Sequence, residues 1–290
     1  MNPIQQQLFG DIDFKTIEQD ANFKEDSVRE MQISAVIITK NEERNIERCL
    51  QSLQEIADEI VVVDSFSTDA TKEICEKYID ISSVKVRFIE HIFEGHIEQK
   101  NYAMQQAIFP FVLSLDADEV LSEPLRQSIK KIKDKVLPES YYPDAYKFNR
   151  LNNYCGKWIR HGAWYPDTKI RLWNKNKGCW GGTNPHDMVV MQANTKIVHP
   201  KGDLFHYTYN SISEHIQQME KFSTIAAEHA KKNGKKVSLP LILLKTKWKF
   251  LRDYAFKCGF LDGYYGLVIC TINAMTTFLK YLKLRELYRE

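Results

Sequence analysis

Three features are missing from this sequence: closely spaced cysteine pairs, an apolar leader and a long uninterrupted apolar run. The six cysteines have no Cys-x-x-Cys spacing, which argues against a zinc site or a disulfide framework and indicates reduced thiols in the cytoplasm. The N-terminus has no basic segment followed by an apolar one, so we expect no secretory signal. Tyr264–Leu279 comes closest to a transmembrane helix, but Gly266, Asn273 and three threonines interrupt it, and we expect none.

The composition is that of a globular protein with an uneven charge distribution. The 290 residues are 43% hydrophobic and 27% charged, which suits one domain with appendages. The net charge is only +2, yet residues 231–290 hold thirteen Lys or Arg against four Asp or Glu. The C-terminal region is therefore expected to be basic.

The first half of the chain alternates apolar strands with amphipathic helices. Runs of β-branched residues predict strands at 33–39, 59–64 and 84–89, and a fourth strand that ends at Asp116. Helical spacing predicts helices at 42–57 and 98–108, one capped by Ser67 or Thr68 and one opened by Ser122. This alternation predicts an α/β fold, with a mainly parallel sheet flanked by helices.

Acidic residues end the fourth strand, in the segment LSLDADE (113–119). Asp116 and Asp118 are two residues apart, so their side chains can converge at the carboxyl end of the strand, where open α/β sheets bind ligands. Two carboxylates at one place repel each other unless a cation neutralises them. We therefore expect a hard divalent cation, which takes oxygen ligands and commonly bridges to substrate phosphates.

The second half of the chain has a different texture. Residues 141–210 are rich in aromatics, Gly and Asn, with strands predicted at 145–151 and 168–173. Their aromatic rings could stack on sugars or simply pack an irregular subdomain. From Ser211 onward helices are predicted, with one face formed by Ile212, Ile216, Met219 and Phe222. We expect an N-terminal arm at 1–30, a domain at 31–210 and a helical region at 211–290.

Four segments of the first half resemble the inverting family 2 glycosyltransferases of the GT-A fold. They are VIITKNEERNI (36–46), VVVDSFSTDAT (61–71), EQKNYAM (98–104) and LSLDADE (113–119). The segments NPHDMV (184–189), HYTY (206–209) and GFLDGYYG (259–266) are similar to the heptose β-1,4-glucosyltransferase subgroup of the lipopolysaccharide inner core. The resemblance implies a GT-A domain with a nucleotide-sugar-binding half at 31–121 and an acceptor-binding half at 140–210. Phe66 stands where the family loop has glycine.

The resemblance also implies donor-binding roles for particular residues. Thr39 and Glu42 would line the nucleoside pocket, and Asp64 would accept hydrogen bonds from the uracil or ribose. Lys100 would contact the base or the diphosphate as a point charge. Asp116 would face the ribose or the metal.

Metal binding is a further implication of the resemblance. Asp118 would ligate Mn²⁺ or Mg²⁺, and His206 is a second candidate ligand because some GT-A enzymes use a late histidine. The cation would stabilise the departing nucleoside diphosphate as a Lewis acid.

Inversion in one displacement needs a base that takes a proton from the acceptor hydroxyl. By resemblance, Asp187 occupies the position where related enzymes carry an acidic pair, and it is the predicted base; the alternative is a loop aspartate that stabilises its own turn. His186 could orient it or bind the donor. Few carboxylates lie between residue 140 and the C-terminal helices: Asp144, Asp167, Asp187, Asp203 and Glu214.

The expected function is metal-dependent transfer of a hexose, glucose by the subgroup resemblance, from a UDP-sugar to a glycolipid or lipopolysaccharide core. Another glycan or protein acceptor and another UDP-sugar stay open. A nucleotidyltransferase would carry a glycine-rich basic loop where this chain has TKNEERN (39–45). A nucleic-acid-binding module would carry a compact basic motif, whereas the basic residues of 241–284 are interleaved with apolar stretches.

The same C-terminal region bears on location and partners. Apolar and basic residues together are typical of a segment that binds a membrane surface. The alternative is that these helices pack on the catalytic domain or on another subunit. We expect a cytoplasmic enzyme, peripheral on the inner membrane, with no nucleic-acid partner.

Overall fold

A computed structural model describes residues 28–82, 84–138, 141–183 and 186–289. The chain divides into two compact units. The first contains the residues up to Arg150 together with Thr168–Phe205, and the second contains Leu151–Asp167 together with the residues from His206 on. This grouping differs from the expected boundary at residue 210 because residues 151–167 belong with the C-terminal helices. Nearly all of the expected arm at 1–30 lies outside the described residues.

The strands and helices are numbered here in chain order. The strands are β1 (Val28–Arg29), β2 (Ile33–Thr39), β3 (Glu59–Asp64), β4 (Lys85–Glu90), β5 (Phe111–Asp116), β6 (Glu119–Leu121), β7 (Leu137–Pro138), β8 (Ala145–Tyr154), β9 (Lys157–Ile159), β10 (Asp167–Asn174), β11 (Gly178–Thr183), β12 (His186–Met191), β13 (Ile197–Val198) and β14 (Asp203–Tyr209). The α-helices are α1 (Ile46–Leu53), α2 (Thr71–Ile81), α3 (His96–Gln106), α4 (Glu123–Lys133), α5 (Ile212–Lys232), α6 (Leu239–Leu251) and α7 (Gly263–Leu287).

The predicted parallel sheet forms the centre of the first unit. Its strand order is β4-β3-β2-β5-β10-β8-β14-β6, with β2 parallel to both β3 and β5 and β10 antiparallel to β5. Strands β8 and β14 contribute residues to both units. A mainly parallel first half is what the strand–helix alternation predicted.

Both faces of the central strands are covered, which explains why most residues of β2 and β3 are apolar. Ile33 and Ile37 pack with Leu50 of α1 on one face, whereas Val36 packs with Ala103 of α3 on the other. Neighbouring residues of a strand point to opposite sides, so a strand buried on both sides needs apolar residues, or polar ones that pair as Ser34 and Glu59 do, at every position. Burial of these strands fixes the register at their carboxyl ends.

Several element ends differ from the sequence predictions. The helix predicted at 42–57 is regular only over α1, and neither Ser67 nor Thr68 caps α2, which begins at Thr71. Asp69 instead accepts hydrogen bonds from the backbone N and Oγ1 of Thr71. Ser122 does precede α4, but its hydroxyl accepts from the backbone N of Asp203 rather than from its own helix.

Helix α5 of the second unit packs with a different face from the one predicted. Ile216 and Phe222 of α5 are exposed, so the predicted apolar face is wrong. The buried residues of α5 are His215, Ser223, Ala227 and Ala230. Ala227 and Ala230 pack with Leu284 of α7, and small side chains let the two helices approach closely.

The expectation that no segment is long enough to cross a membrane is also wrong. The helical stretch Gly259–Leu287 is 29 residues long and passes a test of length and composition, with 28% of its most apolar window buried. Buried core helices pass the same test, so this result alone does not place the helix in a bilayer. Within the described residues it packs against α5 and α6.

Candidate active site

Three strands end together at one edge of the sheet. The register pairs Thr39 of β2 with Asp64 of β3, and Ile38 of β2 with Asp116 of β5. The carboxyl ends of parallel strands are where open α/β sheets bind ligands. Thr39, Asp64 and Asp116 therefore meet at the predicted edge, although they are far apart in sequence.

Thr39 and Glu42 lie at the end of β2 and just beyond it. The Thr39 hydroxyl is buried, and among the described residues no group hydrogen-bonds to it. A buried hydroxyl without a partner costs free energy, which a ligand that bonds to it would recover. Glu42 accepts a 2.7 Å hydrogen bond from Asn45, while burial and the charges of Asp118 and Asp69 raise the pKa of its carboxyl.

Asp64 organises the turn that follows β3. It is buried, and its two oxygens accept from the backbone N of Ser67 at 2.7 Å and from the Ser67 hydroxyl at 2.5 Å. Phe66, inside this turn, has a φ of 57°, in the left-handed region that favours glycine. The turn therefore has a backbone conformation typical of glycine, although residue 66 is a phenylalanine. Its side chain is exposed.

Lys100 of α3 brings two predicted site residues together. Its Nζ lies 2.8 Å from an oxygen of Asp116 and 2.7 Å from an oxygen of Asp187, and its side chain is only 4% exposed. The same Nζ lies 4.4 Å from the centre of the Trp180 ring, within the range of a cation–π contact. Asp116 and Asp187, predicted for donor and acceptor, are thus linked by one buried ammonium.

Sequence reasoning missed Arg171 and Glu119, which complete this cluster. Arg171 of β10 contacts Asp116 at 2.9 Å and the fully buried Glu119 at 2.6 Å. Burial would raise the pKa of Asp116, but Lys100 and Arg171 together lower it well below its usual range. Burial likewise opposes the charge of Arg171, and Glu119 and Asp116 raise its pKa instead. The available signal was an arginine between two apolar strand residues, Ile170 and Leu172.

The hairpin of β11 and β12 carries Asp187, with Gly182 opposite it in the register. Asn101 of α3 fixes the hairpin, because its amide donates to the carbonyl oxygen of Trp180 and accepts from the Trp180 backbone N, at 2.9 and 3.0 Å. Trp180 is 3% exposed and packs edge-on against the buried Trp173. These two rings pack the unit rather than offer a face to a sugar. Asn184 and Pro185 lie outside the described residues, as does the side chain of His186.

Of the other residues considered as bases, Asp144 and Glu214 have structural partners for their carboxylates, and Asp203 is held by its backbone. Asp144 accepts a 2.6 Å hydrogen bond from the backbone N of Lys196 and contacts Lys177 at 2.5 Å. Glu214 accepts from the backbone N of Asn210 at 2.8 Å. The backbone of Asp203 donates to Ser122. None of these contacts tests the choice of Asp187, which stays a prediction.

The predicted metal ligands lie in different units. Asp118 follows Asp116 in the turn before β6, and its charge acts on Glu42. His206 belongs to the second unit, where its Nδ1 lies 2.6 Å from the Asn152 side-chain oxygen and 2.9 Å from the Thr208 hydroxyl. Its role as a ligand stays a prediction.

The donor set fits a hard cation that arrives with its substrate. Carboxylate oxygens are the ligands that Mg²⁺ and Mn²⁺ prefer. Within 28–82, 84–138, 141–183 and 186–289, no group of three His, Cys, Asp or Glu side chains is arranged to hold an ion. A cation at Asp118 would therefore complete its shell with phosphate oxygens and water, as Mg²⁺ commonly does.

Comparison with known proteins agrees with this architecture. An uncharacterised glycosyltransferase of Rickettsia typhi is 33% identical over 263 residues, 88% of this chain and 87% of the relative. The lipopolysaccharide core biosynthesis glycosyltransferase LpsC of Rhizobium meliloti is 28% identical over 258 residues, 85% of this chain and 92% of the relative.

A solved structure is similar in fold and distant in sequence. It is the mannosyltransferase PcManGT of Pyrobaculum calidifontis, in complex with GDP-Man and Mn²⁺. It has a TM-score of 0.53 and 14% identity, and the match covers 89% of this chain and 87% of that one. The GT-A fold class predicted from the sequence is confirmed. Residues 34–190 match glycosyl transferase family 2, and the chain is a glycosyltransferase belonging to that family.

Proposed function

We propose that this glycosyltransferase moves glucose from UDP-glucose to a heptose of the lipopolysaccharide core, with inversion at the anomeric carbon. The likeness to LpsC, whose name assigns it to lipopolysaccharide core biosynthesis, supports the acceptor class. The observation that supports the proposal is the Lys100 cluster, in which one ammonium contacts the two carboxylates predicted to face the donor and the acceptor, Asp116 and Asp187. The identity of the donor sugar is the most specific part of the proposal.

The nucleotide would bind across the ends of β2 and β3. The unpartnered Thr39 hydroxyl supports a hydrogen bond to the nucleoside, and Asp64 has carboxylate lone pairs left for uracil or ribose after it binds Ser67. Glu42, just beyond β2, would border the same nucleotide. Lys100 would contact the diphosphate, and Asp118 would hold a cation that would supply Lewis-acid stabilisation of the departing diphosphate.

Asp187 would act on the acceptor. Its carboxylate takes the proton of the acceptor hydroxyl while that oxygen forms a bond to the anomeric carbon. The bond from the anomeric carbon to the diphosphate oxygen breaks with its electron pair, so UDP leaves from the opposite face. One displacement of this kind inverts the configuration.

Lys100 would couple the two substrates. In the structure its ammonium is shared between Asp116 and Asp187. A diphosphate attracts an ammonium group more strongly than a single carboxylate does, because the diphosphate carries more charge and more acceptor oxygens. Movement of Lys100 toward a bound donor would release Asp187 for proton transfer.

A radiolabelled transfer assay tests the proposal. Lipopolysaccharide core truncated at heptose is incubated with enzyme, Mn²⁺ or Mg²⁺, and UDP-glucose, UDP-galactose or UDP-GlcNAc in turn. We expect label to enter the core from UDP-glucose alone. The matched control is Asp118→Ala, which should abolish transfer in every lane; transfer from another UDP-sugar would change the donor, and transfer by Asp118→Ala at the wild-type rate would refute the metal site.

A further inference from the structure

We propose that one outward face of the second unit, formed by α6 and the turns that follow it, docks on an anionic lipid surface without crossing the bilayer. This inference goes beyond the transfer reaction and does not depend on which sugar is moved. It concerns the membrane-facing surface, defined here as the exposed apolar side chains of residues 239–261 and the basic residues among them. The exposed apolar members are Leu239, Leu241, Leu243, Leu244, Trp248, Leu251, Phe256, Phe260 and Leu261.

Helix α6 turns apolar side chains outward, which is the reverse of a helix on the surface of a soluble protein. Ile242 is fully buried and holds the helix against the unit, yet Leu244 is 64% and Trp248 54% exposed. At about 100° per residue, Leu244, Trp248 and Leu251 share a stripe opposite Ile242. A surface helix normally turns polar residues outward, so an outward apolar stripe indicates a partner surface.

The apolar surface continues beyond the end of α6. The rings of Trp248 and Phe256 lie 5.8 Å apart, and Phe256 and Phe260 are 66% and 49% exposed. The turn that presents them is closely packed against α7, because a Cβ added at Gly266 would overlap the carbonyl oxygen of Gly259. The aromatic side chains are therefore held outward by a fixed backbone.

Basic residues surround this apolar surface. Residues 239–261 contain five basic side chains and a single acidic one, Asp253, which is buried and contacts both Lys249 and Arg252. The exposed Lys247 borders the stripe on one side, and Lys245 lies on the other. Positive charge beside exposed leucine and aromatic side chains complements an anionic leaflet, where lysines pair with headgroups and aromatic rings settle at the interface.

Two other occupants fit the charge and packing less well. Lysine is depleted in protein–protein interfaces relative to the rest of the surface, whereas residues 239–261 contain four lysines. A spanning mode would require α7 to leave its contacts with α5. Lys283 of α7 contacts Glu220 at 2.7 Å and the Thr224 hydroxyl at 2.7 Å, and Leu284 is buried against α5.

Sedimentation of the full chain with sucrose-loaded vesicles tests the inference. We expect binding to vesicles of phosphatidylglycerol and phosphatidylcholine at low salt, and little binding to phosphatidylcholine alone. The double variant Leu244→Gln/Trp248→Gln should lose about tenfold or more in the partition coefficient. Ile216→Gln/Phe222→Gln, which changes exposed apolar residues on α5, is the matched control and should bind like wild type.

Charge reversal tests the basic residues of the membrane-facing surface. Each basic residue near an anionic leaflet contributes a factor of about five, so Lys247→Glu/Lys257→Glu should lose about 25-fold or more, while Lys221→Glu on α5 should lose little. Brominated acyl chains should quench Trp248, and the quenching should disappear in Trp248→Phe.

Three results would overturn the proposal. The first is equal vesicle binding by wild type and Leu244→Gln/Trp248→Gln. The second is a wild-type dimer in lipid-free solution together with a monomeric Leu244→Gln/Trp248→Gln variant, since that would assign the surface to a second copy of this chain. The third is a membrane-bound fraction that carbonate and high salt leave in place, since that would mean a spanning helix.

Discussion

At the scale of single residues, Asp187 is the predicted base, and its only described cation contact is the one with Lys100. Asp187→Asn keeps the size of the side chain and can still bond to Lys100, but it cannot accept a proton. A well-placed general base is worth about 10²- to 10⁴-fold in rate. We expect transfer to fall by that factor, while UDP-sugar affinity, measured by calorimetry, stays near the wild-type value.

The control for this prediction is Asp118→Ala, which should lose donor affinity together with turnover. If Asp187→Asn transfers sugar at the wild-type rate, the base must be sought among Asp167, Asp203 and Glu214. The pair of variants therefore separates a residue that acts on the acceptor from one that holds the cation.

Phe66 provides a test of backbone conformation. Its φ of 57° places an L side chain in a region that costs about 1–2 kcal/mol for residues other than glycine. Phe66→Gly removes this cost and Phe66→Ala does not, although both remove the exposed ring. We expect Phe66→Gly to be more stable than Phe66→Ala by about 1 kcal/mol in urea unfolding. Equal stabilities would show that the turn relaxes without a left-handed residue.

At this scale, the sequence predicts the position of a side chain where that position follows from strand period and register. Asp116 was placed at the sheet edge because it ends an apolar strand, and the register confirms that position. The pairing of Lys100 with Asp187 was beyond reach, because it joins a helix to a hairpin 87 residues later. Arg171 was missed for a related reason: its partners Asp116 and Glu119 become visible only once β10 lies beside β5.

At the scale of elements, helix α5 shows why an apolar pattern can select the wrong face. Ile216 and Phe222 follow helical spacing but are exposed, whereas Ala227 and Ala230 are buried. Small residues carry little hydrophobic signal, yet they permit close packing against α7. The prediction counted the size of apolar side chains and could not see the neighbouring helix.

The buried His215 of α5 makes the stability of the second unit sensitive to pH. It packs against Tyr209 with ring centres 4.6 Å apart, and its Nδ1 lies 3.1 Å from the Tyr154 hydroxyl. Burial lowers the pKa of His215 from 6.5 to about 4. The unfolded chain therefore binds a proton at higher pH than the folded chain, so stability falls as the pH falls from 6.5 toward 4.

Integrated over pH, this linkage removes about 2 kcal/mol of stability between pH 7 and pH 5. His215→Gln cannot titrate, so its urea-unfolding stability should lose about 2 kcal/mol less than that of wild type over the same interval. His229→Gln, at an exposed position of the same helix, is the control and should follow wild type. Parallel pH profiles for His215→Gln and wild type would contradict the prediction.

At the scale of the whole molecule, the fold class followed from the sequence and the grouping of the chain did not. Alternating strands and helices predicted the parallel sheet, because each strand–helix unit carries its own apolar signal. Residues 151–167 carry no such signal, and they belong with the C-terminal helices, where Asp262 accepts hydrogen bonds from the backbone N of Arg160 and of His161. A contact between distant segments decides the division, and no local pattern reports it.

The donor and the metal should stabilise the folded chain together. A ligand that binds only the native state at 100 times its Kd adds about 2.7 kcal/mol, which raises the unfolding temperature. Because Asp118 would share its cation with the diphosphate, UDP and Mn²⁺ together should raise the Tm more than the two separate shifts combined. Asp118→Ala should retain the small shift with UDP alone and lose the joint increment. His206→Gln decides the second ligand: loss of the same increment supports coordination by His206, and a wild-type increment assigns this histidine to its contacts with Asn152 and Thr208. Purely additive shifts in wild type would mean that the cation and the nucleotide bind independently, and the shared-cation site would then be wrong.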